Sequence, residues 1–328
     1  MSWRNRPSAR SITITILGVC LISGPVGLPL DQARAQADEP GGRIAFVRDG
    51  NVWVWTPGDT DPLTSTAEAQ DPTWSPAGDQ VLFVQSGGSF SNLVIHNIAD
   101  DRTYRVTDNE PYIEAGSSDY VASSSWAQDP SWSPSGGIAF VSDKGTTDHL
   151  MQLWLMDSIR DDPYLAPYDG GDAGGIEQVA LNAGGNLAAY TVLAAGGTLG
   201  GVTYVAIRDL VTGATTPIAE GPLGAYDPAI SPDDGHVVVS VRTEDGISDL
   251  WSIDLESGEE VQLTTDEQAT AAVWSPDGEW IAWMSPNDRS FDIRAAKVSA
   301  DRRTLTSTPV LLVEADGLDA TSGLSWIA

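Results

Sequence analysis

The chain has 328 residues, and its 46 acidic against 17 basic residues give a formal net charge of −29 at pH 7. Contacts to phosphate need lysine and arginine, so this balance excludes a nucleic-acid partner and favours cations, basic peptides or simple solubility. The single cysteine, Cys20, excludes a fold held by intramolecular disulfides.

The first predicted element is an export signal. Three arginines stand in an acid-free amino-terminal stretch, and a largely apolar run follows from Ile12 to Ile22. Ala35 and Ala37 have the small-x-small spacing that signal peptidase reads, which predicts cleavage after Ala37. Residues 1–37 are therefore expected to be a signal peptide.

The remainder, residues 38–328, is expected to be one exported domain, periplasmic or extracellular, and monomeric. The alternative is an uncleaved leader that anchors the chain, because residues 11–30 are about as long as a bilayer span. In that case the leader would be the only contact with a membrane.

A repeated phrase organises the rest of the chain. "DPTWSPAG" runs from Asp71 to Gly78, and "DPSWSPSG" runs from Asp129 to Gly136. Proline presets φ for the first central position of a turn, and glycine accepts the left-handed conformation that closes a short hairpin. The same chemistry returns in "ISPDDG" from Ile230 and "WSPDG" from Trp274, and four copies indicate a repeat architecture.

Each turn is followed by β-rich runs that complete a unit of four strands, and a weaker copy covers Ile176 to Val192. The segment Gly42 to Trp55 reads as a second and third strand without a first, whereas Ser322 to Ala328 reads as a first strand alone. Pairing of these two segments would close a ring with few exposed edges. The predicted fold is all-β, a six-bladed β-propeller of four-stranded antiparallel blades closed by pairing of the N- and C-terminal strands.

Four tryptophans occupy one position of the repeat, near the end of the innermost strand. Aromatic side chains at such a position are expected to pack between neighbouring blades. They are Trp74, Trp132, Trp274 and Trp326.

Two segments of the chain carry a family resemblance, "AAVWSPDGEWIAWMS" and "DLWSIDLESGEEVQLTTDEQ". The chain resembles the TolB-type propellers, exported bacterial proteins with a WD-like repeat, over nearly all of residues 38–328. The resemblance implies a propeller and a binding or scaffolding role, although related repeats also occur in lyases and peptidase-associated domains. TolB itself carries a further α/β domain ahead of its propeller, which cleavage at Ala37 would leave no room for here, so that domain's partner contacts are not carried over.

Three aspartates are the first candidate site. Asp71, Asp129 and Asp227 each stand just before a predicted inner strand, where they would point toward the channel mouth. Together they are expected to receive a basic side chain or to ligate Ca²⁺, which prefers oxygen ligands. The alternative is that Asp-Pro is a local turn device repeated for folding.

Aromatic residues in two long linkers are the second candidate site. The linkers run from Asp108 to Gln128 and from Asp161 to Gly175, on what should be one face of the ring, and they interleave acids with rings. Tyrosine and tryptophan are common anchors at binding surfaces. The expected rim residues are Tyr112, Tyr120, Trp126, Tyr164 and Tyr168. The alternative is that these rings cover the outer edges of blades.

Catalytic motifs are scarce in the sequence. Three histidines are present, without a G-x-S-x-G nucleophile elbow or an HExxH zinc motif. The sequence therefore favours a non-catalytic binding or scaffold propeller that recognises a protein, peptide or small ligand. A hydrolase or lyase that uses the channel-mouth carboxylates, with or without Ca²⁺, is the alternative.

Overall fold

The computed structural model describes residues 39–114, 116–117, 119–146, 150–167, 175–193, 202–265 and 267–328. Residues Pro40 to Ala328 form one compact unit. The predicted signal peptide and its cleavage site lie outside the described residues. Within those ranges, no helix is both long and apolar enough to cross a bilayer.

The regular structure of the described residues consists of twenty-four strands and two short 3₁₀ turns. In chain order, the strands of the first half are β1 (Arg43–Arg48), β2 (Asn51–Thr56), β3 (Asp59–Pro62), β4 (Ala69–Trp74), β5 (Gln80–Ser86), β6 (Ser91–Asn97), β7 (Arg102–Arg105), β8 (Ala127–Trp132), β9 (Ile138–Ser142), β10 (Gln152–Met156), β11 (Tyr164–Leu165) and β12 (Ile176–Leu181).

The second half contains β13 (Leu187–Leu193), β14 (Thr203–Asp209), β15 (Thr215–Glu220), β16 (Ala225–Ile230), β17 (His236–Arg242), β18 (Ser248–Asp254), β19 (Glu260–Gln262), β20 (Thr270–Trp274), β21 (Trp280–Pro286), β22 (Phe291–Lys297), β23 (Val310–Ala315) and β24 (Ser325–Ile327). The 3₁₀ turns are Val121–Ser123 and Ala320–Ser322.

These strands form six antiparallel four-stranded sheets, so the predicted six-bladed propeller is confirmed. Blade one has the order β24-β1-β2-β3, and blades two to six follow as β4 to β7, β8 to β11, β12 to β15, β16 to β19 and β20 to β23. Each innermost strand contacts the innermost strand of the next blade, and β20 contacts β24 to complete the circle.

The turns after the innermost strands of blades two, three, five and six have the chemistry that the repeat predicts. Gly78 donates its backbone N–H to the Ser75 carbonyl at 2.9 Å, and its φ of 66° is left-handed. Gly278 does the same with Ser275 at 2.8 Å. Blade five differs slightly, because Asp234, with φ 59°, takes the left-handed position ahead of Gly235.

The closing blade joins the two ends of the described chain. β24 pairs antiparallel with β1, with Ile44 opposite Trp326 and Ala45 opposite Ser325. Trp326 is buried between blades six and one, and its indole N–H donates to the Gly41 carbonyl at 3.0 Å. The expected pairing of the terminal segments is therefore present.

The core is divided among the interfaces between blades. Trp74 packs between blades one and two, Trp274 between blades five and six, and Trp132 is partly buried between blades two and three. The repeated tryptophans thus pack between blades as expected.

Replacing Trp326 with alanine should lower the free energy of unfolding by about 3–5 kcal/mol, because a buried indole is removed from the interface that closes the ring. Urea unfolding followed by circular dichroism measures the change. Val211→Ala is the control, since Val211 is 77% exposed and should shift stability by no more than about 0.5 kcal/mol. Equal effects of the two substitutions would show that closure contributes little.

Candidate functional site

The three candidate aspartates lie inside the innermost strands, which corrects their expected position just before them. At each one the strand has a β-bulge, with register shifts such as that between Gln70 and Thr73. The backbone is left-handed there, with φ of 49° at Asp71, 48° at Asp129 and 52° at Asp227. A bulge re-aims the side chain of its extra residue.

The same left-handed position exists in all six blades. Blade four has Gln178 with φ 53°, blade six has Ala271 with φ 52°, and blade one has Gly323 with φ 62°. Sequence reasoning missed these three. The signal that could have found them is spacing, because each lies three residues before the position held by Trp74, Trp132 or an equivalent residue.

Hydrogen bonds link these positions around the channel. Asp129 donates its backbone N–H to Asp71 Oδ2 at 3.2 Å, and the Gln178 backbone N–H donates to the Asp129 carboxylate. Asp227 donates its N–H to Gln178 Oε1 at 3.1 Å, and Ala271 donates to Asp227 Oδ2 at 3.0 Å. Each side chain therefore accepts from the backbone of the next blade, from blade two to blade six.

The central channel contains a cavity of ≈ 560 Å³ lined by the innermost strands of all six blades. Asp71, Asp129 and Asp227 are the ionisable side chains among its described lining residues, which include no lysine, arginine or histidine. The cavity is large enough for one long side chain or a small ligand. No basic side chain of the described lining therefore compensates its charge.

Burial raises the pKa of all three aspartates. It raises the pKa of Asp129 to about 6, with further contributions from Glu177 and Asp227. The pKa of Asp71 is raised well above its ordinary value, first by burial and then by the charge of Asp129. These side chains keep some exposed surface toward the channel, but they lie deep within the ring, so loss of hydration dominates.

The pKa of Asp227 is also raised by burial, although the Thr270 hydroxyl donates to its carboxylate at 2.6 Å and opposes the shift. Glu177, on the strand that carries Gln178, has its pKa raised by burial as well. Burial thus raises the pKa of one acid in each of blades two to five. The charge of Asp129 raises the pKa of Asp71, so the two groups do not titrate independently.

No group of three or more His, Cys, Asp or Glu side chains among the described residues is arranged to hold a metal ion. The three aspartates are spread around the channel and their oxygens accept hydrogen bonds from the backbone. A Ca²⁺ ion would therefore have to draw on backbone carbonyls or water to complete its coordination.

The linker between blades two and three carries three of the expected aromatic residues. Tyr112 is 91% exposed and donates its hydroxyl to Asp108 Oδ2 at 2.6 Å, which raises the pKa of Tyr112. Tyr120 and Trp126 are half-buried beside the Val121–Ser123 turn, and the Trp126 backbone N–H donates to Asp143 Oδ1 at 2.7 Å. These rings lie in the linker outside the cavity lining.

Tyr164 has a different position from the expected rim. It begins β11, the outermost strand of blade three, and pairs with Leu155. Its hydroxyl donates to Asp157 Oδ1 at 2.7 Å, in the turn between the third and fourth strands, which is on the opposite face from the long linkers. Tyr168 lies outside the described residues.

The described histidines are structural in their contacts. His96 is buried, with Nδ1 3.2 Å from the Thr103 hydroxyl, and His236 Nε2 is 3.7 Å from Asp254 Oδ2. Neither lines the channel cavity. His149 lies outside the described residues.

Comparisons with known proteins agree with this architecture. The family model "Dipeptidyl peptidase IV (DPP IV) N-terminal region" matches residues 56–142. No curated protein matches the chain. Among solved structures, TolB from Acinetobacter baumannii aligns with TM-score 0.65 and 15% identity, covering 90% of this chain and 69% of that one.

Two further structures extend the comparison. A putative TolB from Agrobacterium tumefaciens aligns with TM-score 0.62 and 15% identity, over 88% of this chain and 99% of that one. Oligogalacturonate lyase from Vibrio parahaemolyticus aligns with TM-score 0.51 and 13% identity, over 83% of this chain and 73% of that one. The fold is a TolB-like propeller, and at these identities the likeness concerns the fold alone.

The raised pKa of Asp129 predicts how stability depends on pH. Because the folded state holds this proton more tightly than the unfolded chain, the group's contribution to stability falls as pH rises from about 4 to about 6. Asp129→Asn should therefore stabilise the protein by roughly 1–2 kcal/mol at pH 7.5, and much less at pH 4. The variant also relieves Asp71 of a neighbouring charge.

Urea unfolding of wild type and variant at both pH values measures this difference. Asp61→Asn is the control, because Asp61 is exposed on β3 and has no role in the channel. A variant that is destabilised equally at both pH values would mean that the carboxylate is needed in its charged form.

Proposed function

We propose that this protein is an exported binding propeller that receives a cationic group of a protein or peptide in its acidic channel. The observation that carries the proposal is the cavity itself, whose three described ionisable side chains are all aspartates with raised pKa. The predicted leader and the TolB-like fold support export and a binding role. A lysine or arginine side chain of the partner would supply the positive charge that the described cavity lining lacks.

Electrostatics gives the reason for this choice. Asp71 and Asp129 hold raised pKa values because loss of hydration is not offset by an opposite charge. An incoming ammonium or guanidinium group would supply that charge, lower both pKa values and release protons. Affinity should therefore increase as pH rises through about 6.

The linker from residue 106 to residue 126 would extend the contact beyond the channel. Tyr112 is exposed in this linker, and Glu110 and Glu114 place acidic side chains on both sides of Tyr112 in the sequence. Aromatic rings with neighbouring carboxylates suit a partner that is both apolar and basic. The channel would then fix one cationic side chain while the linker contacts the flanking chain.

A second candidate function has its own observation. Asp71 and Asp129 belong to neighbouring blades and both have a raised pKa, and their charges interact. Two interacting acids of this kind can divide the acid and base roles of a reaction. A propeller of similar fold is an oligogalacturonate lyase. A hydrolase or lyase that uses this pair, in the same cavity, is therefore the alternative to binding alone.

Titration with a lysine peptide tests the proposal. Acetylated and amidated Gly-Gly-Lys-Gly-Gly should bind to the full chain, and its norleucine counterpart, which keeps the length but lacks the charge, should not. Changing Asp71, Asp129 and Asp227 together to asparagine should weaken binding by about tenfold or more, because charged hydrogen bonds are lost. Calorimetry at pH 5 and pH 7.5 measures both affinity and proton release.

The control for this experiment is Asp61→Asn, which removes one charge far from the channel. Equal binding of the lysine and norleucine peptides would contradict a cation site. Retained peptide binding in the triple variant would place the contact on the linker instead, and turnover of an acidic oligosaccharide that the triple variant loses would favour the alternative function.

Calcium titration separates a metal site from a binding site. Because the aspartate oxygens already accept backbone hydrogen bonds, we expect the melting temperature to be the same in Ca²⁺ and in chelator. A rise with Ca²⁺ that disappears in the triple asparagine variant would show that the ring binds the ion.

A further inference from the structure

A second cavity, of ≈ 720 Å³, lies outside the channel. It is built mainly by blade six, from the turn between β21 and β22 and from the end of β23, and blade one contributes Arg48 at the end of β1. Seven of its ten lining residues are charged, and both signs are present. None of them lines the channel cavity.

Arginines are concentrated in this cavity. The whole chain has 17 basic residues against 46 acidic ones, yet Arg48, Arg289 and Arg294 all line this one space. On a surface that serves only solubility, charges of one sign are dispersed rather than grouped. A group of three arginines in a strongly acidic protein therefore calls for a specific cause.

The repeat shows that the fold does not require two of these arginines. Strand pairing places Arg294 opposite Trp283, and the equivalent positions in the other five blades are Trp53, Val94, Trp154, Ala206 and Trp251. Arg48 likewise stands where the other blades have Gln85, Ser142, Val192, Val241 and Ser285. Both arginines are therefore departures from the repeat.

Part of each guanidinium is already bonded, and part is available. Arg294 donates to Asp292 Oδ2 at 3.0 Å, and Arg289 donates to Asp316 Oδ2 at 3.2 Å. Arg48 donates its Nε to the Asp316 carbonyl at 3.0 Å and stacks over Trp53. Each guanidinium has five N–H donors, so several remain for a ligand.

Carboxylates of the same cavity supply the opposite charge. Asp288 and Glu314 are exposed and line the space, whereas Asp292 is buried and already accepts from Asn287 and Arg294. A simple anion would face these acids, and a simple cation would face the three arginines. A ligand that carries both charges at once matches both sets.

We propose that this cavity binds a small zwitterion of the amino-acid type. The guanidinium groups of Arg289 and Arg294 receive the ligand's carboxylate, a pairing in which arginine forms two parallel hydrogen bonds. The ammonium group faces Glu314 and Asp288. Because none of these residues belongs to the channel, the site is independent of the proposed function.

Three alanine derivatives test the charge requirement at pH 7. L-alanine carries both charges, N-acetyl-L-alanine lacks the ammonium, and L-alanine amide lacks the carboxylate. Calorimetry and melting temperature should show binding of L-alanine, with both blocked derivatives weaker by about tenfold or more, since each loses a charged contact.

Arg294→Trp is the matched variant, because blades one, three and five carry tryptophan at the equivalent position and the fold accepts it there. It should abolish alanine binding while the circular dichroism spectrum stays unchanged. Arg289→Gln, at a residue whose side chain is 76% exposed, should weaken binding without affecting folding. Arg102→Gln, on the exposed strand β7, is the control and should bind as wild type.

Several results would overturn the proposal. The first is that the wild-type protein does not bind L-alanine, and the second is that N-acetyl-L-alanine binds as tightly as L-alanine. The third is that a folded Arg294→Trp or Arg289→Gln variant binds L-alanine as tightly as wild type. The triple asparagine variant of the channel should bind L-alanine as wild type does. A loss there would also count against a separate site.

Discussion

A left-handed residue in every blade, within or just before the innermost strand, is the constraint on which the ring and its channel both depend. For a residue other than glycine, this conformation costs about 1–2 kcal/mol. At Asp129, Gln178 and Asp227 the bulge places a side-chain oxygen within reach of the backbone N–H of the next blade. A typical hydrogen bond contributes about 0.5–1.5 kcal/mol, which is of the same order as the backbone strain.

The same device makes the channel asymmetric. The chain of hydrogen bonds runs from Asp71 to Ala271, and Ala271 and Gly323 have no side-chain oxygen with which to continue it. Negative charge is therefore confined to blades two, three and five, with Glu177 close by in blade four, while blades six and one present alanine and glycine. Groups that link the blades are thus also the groups that a cation would meet, so folding and recognition share one set of atoms.

Sequence patterns were sufficient for the fold because its determinants are local. Pro76 and Gly78 fix a turn, apolar runs follow each turn, and the incomplete segments at the two ends each lack what the other has. The bulge was beyond such patterns, because tertiary contacts decide whether Asp71 has a positive φ. Gln178 could not be recognised from the sequence because its blade lacks the Asp-Pro pair. The position of Tyr164 was predicted wrongly because a two-residue strand carries no periodicity.

In a repeat protein, positions shared by several blades and positions unique to one blade support different conclusions. The channel aspartates recur in three blades and bond to their neighbours, so their presence alone is explained by folding. Their functional interpretation depends instead on the cavity, whose described lining offers them no counter-charge. Arg294 is the reverse case: tryptophan, valine or alanine satisfies the fold at the equivalent position of every other blade, so its charge is specific to blade six, where it pairs with Asp292 and lines the second cavity.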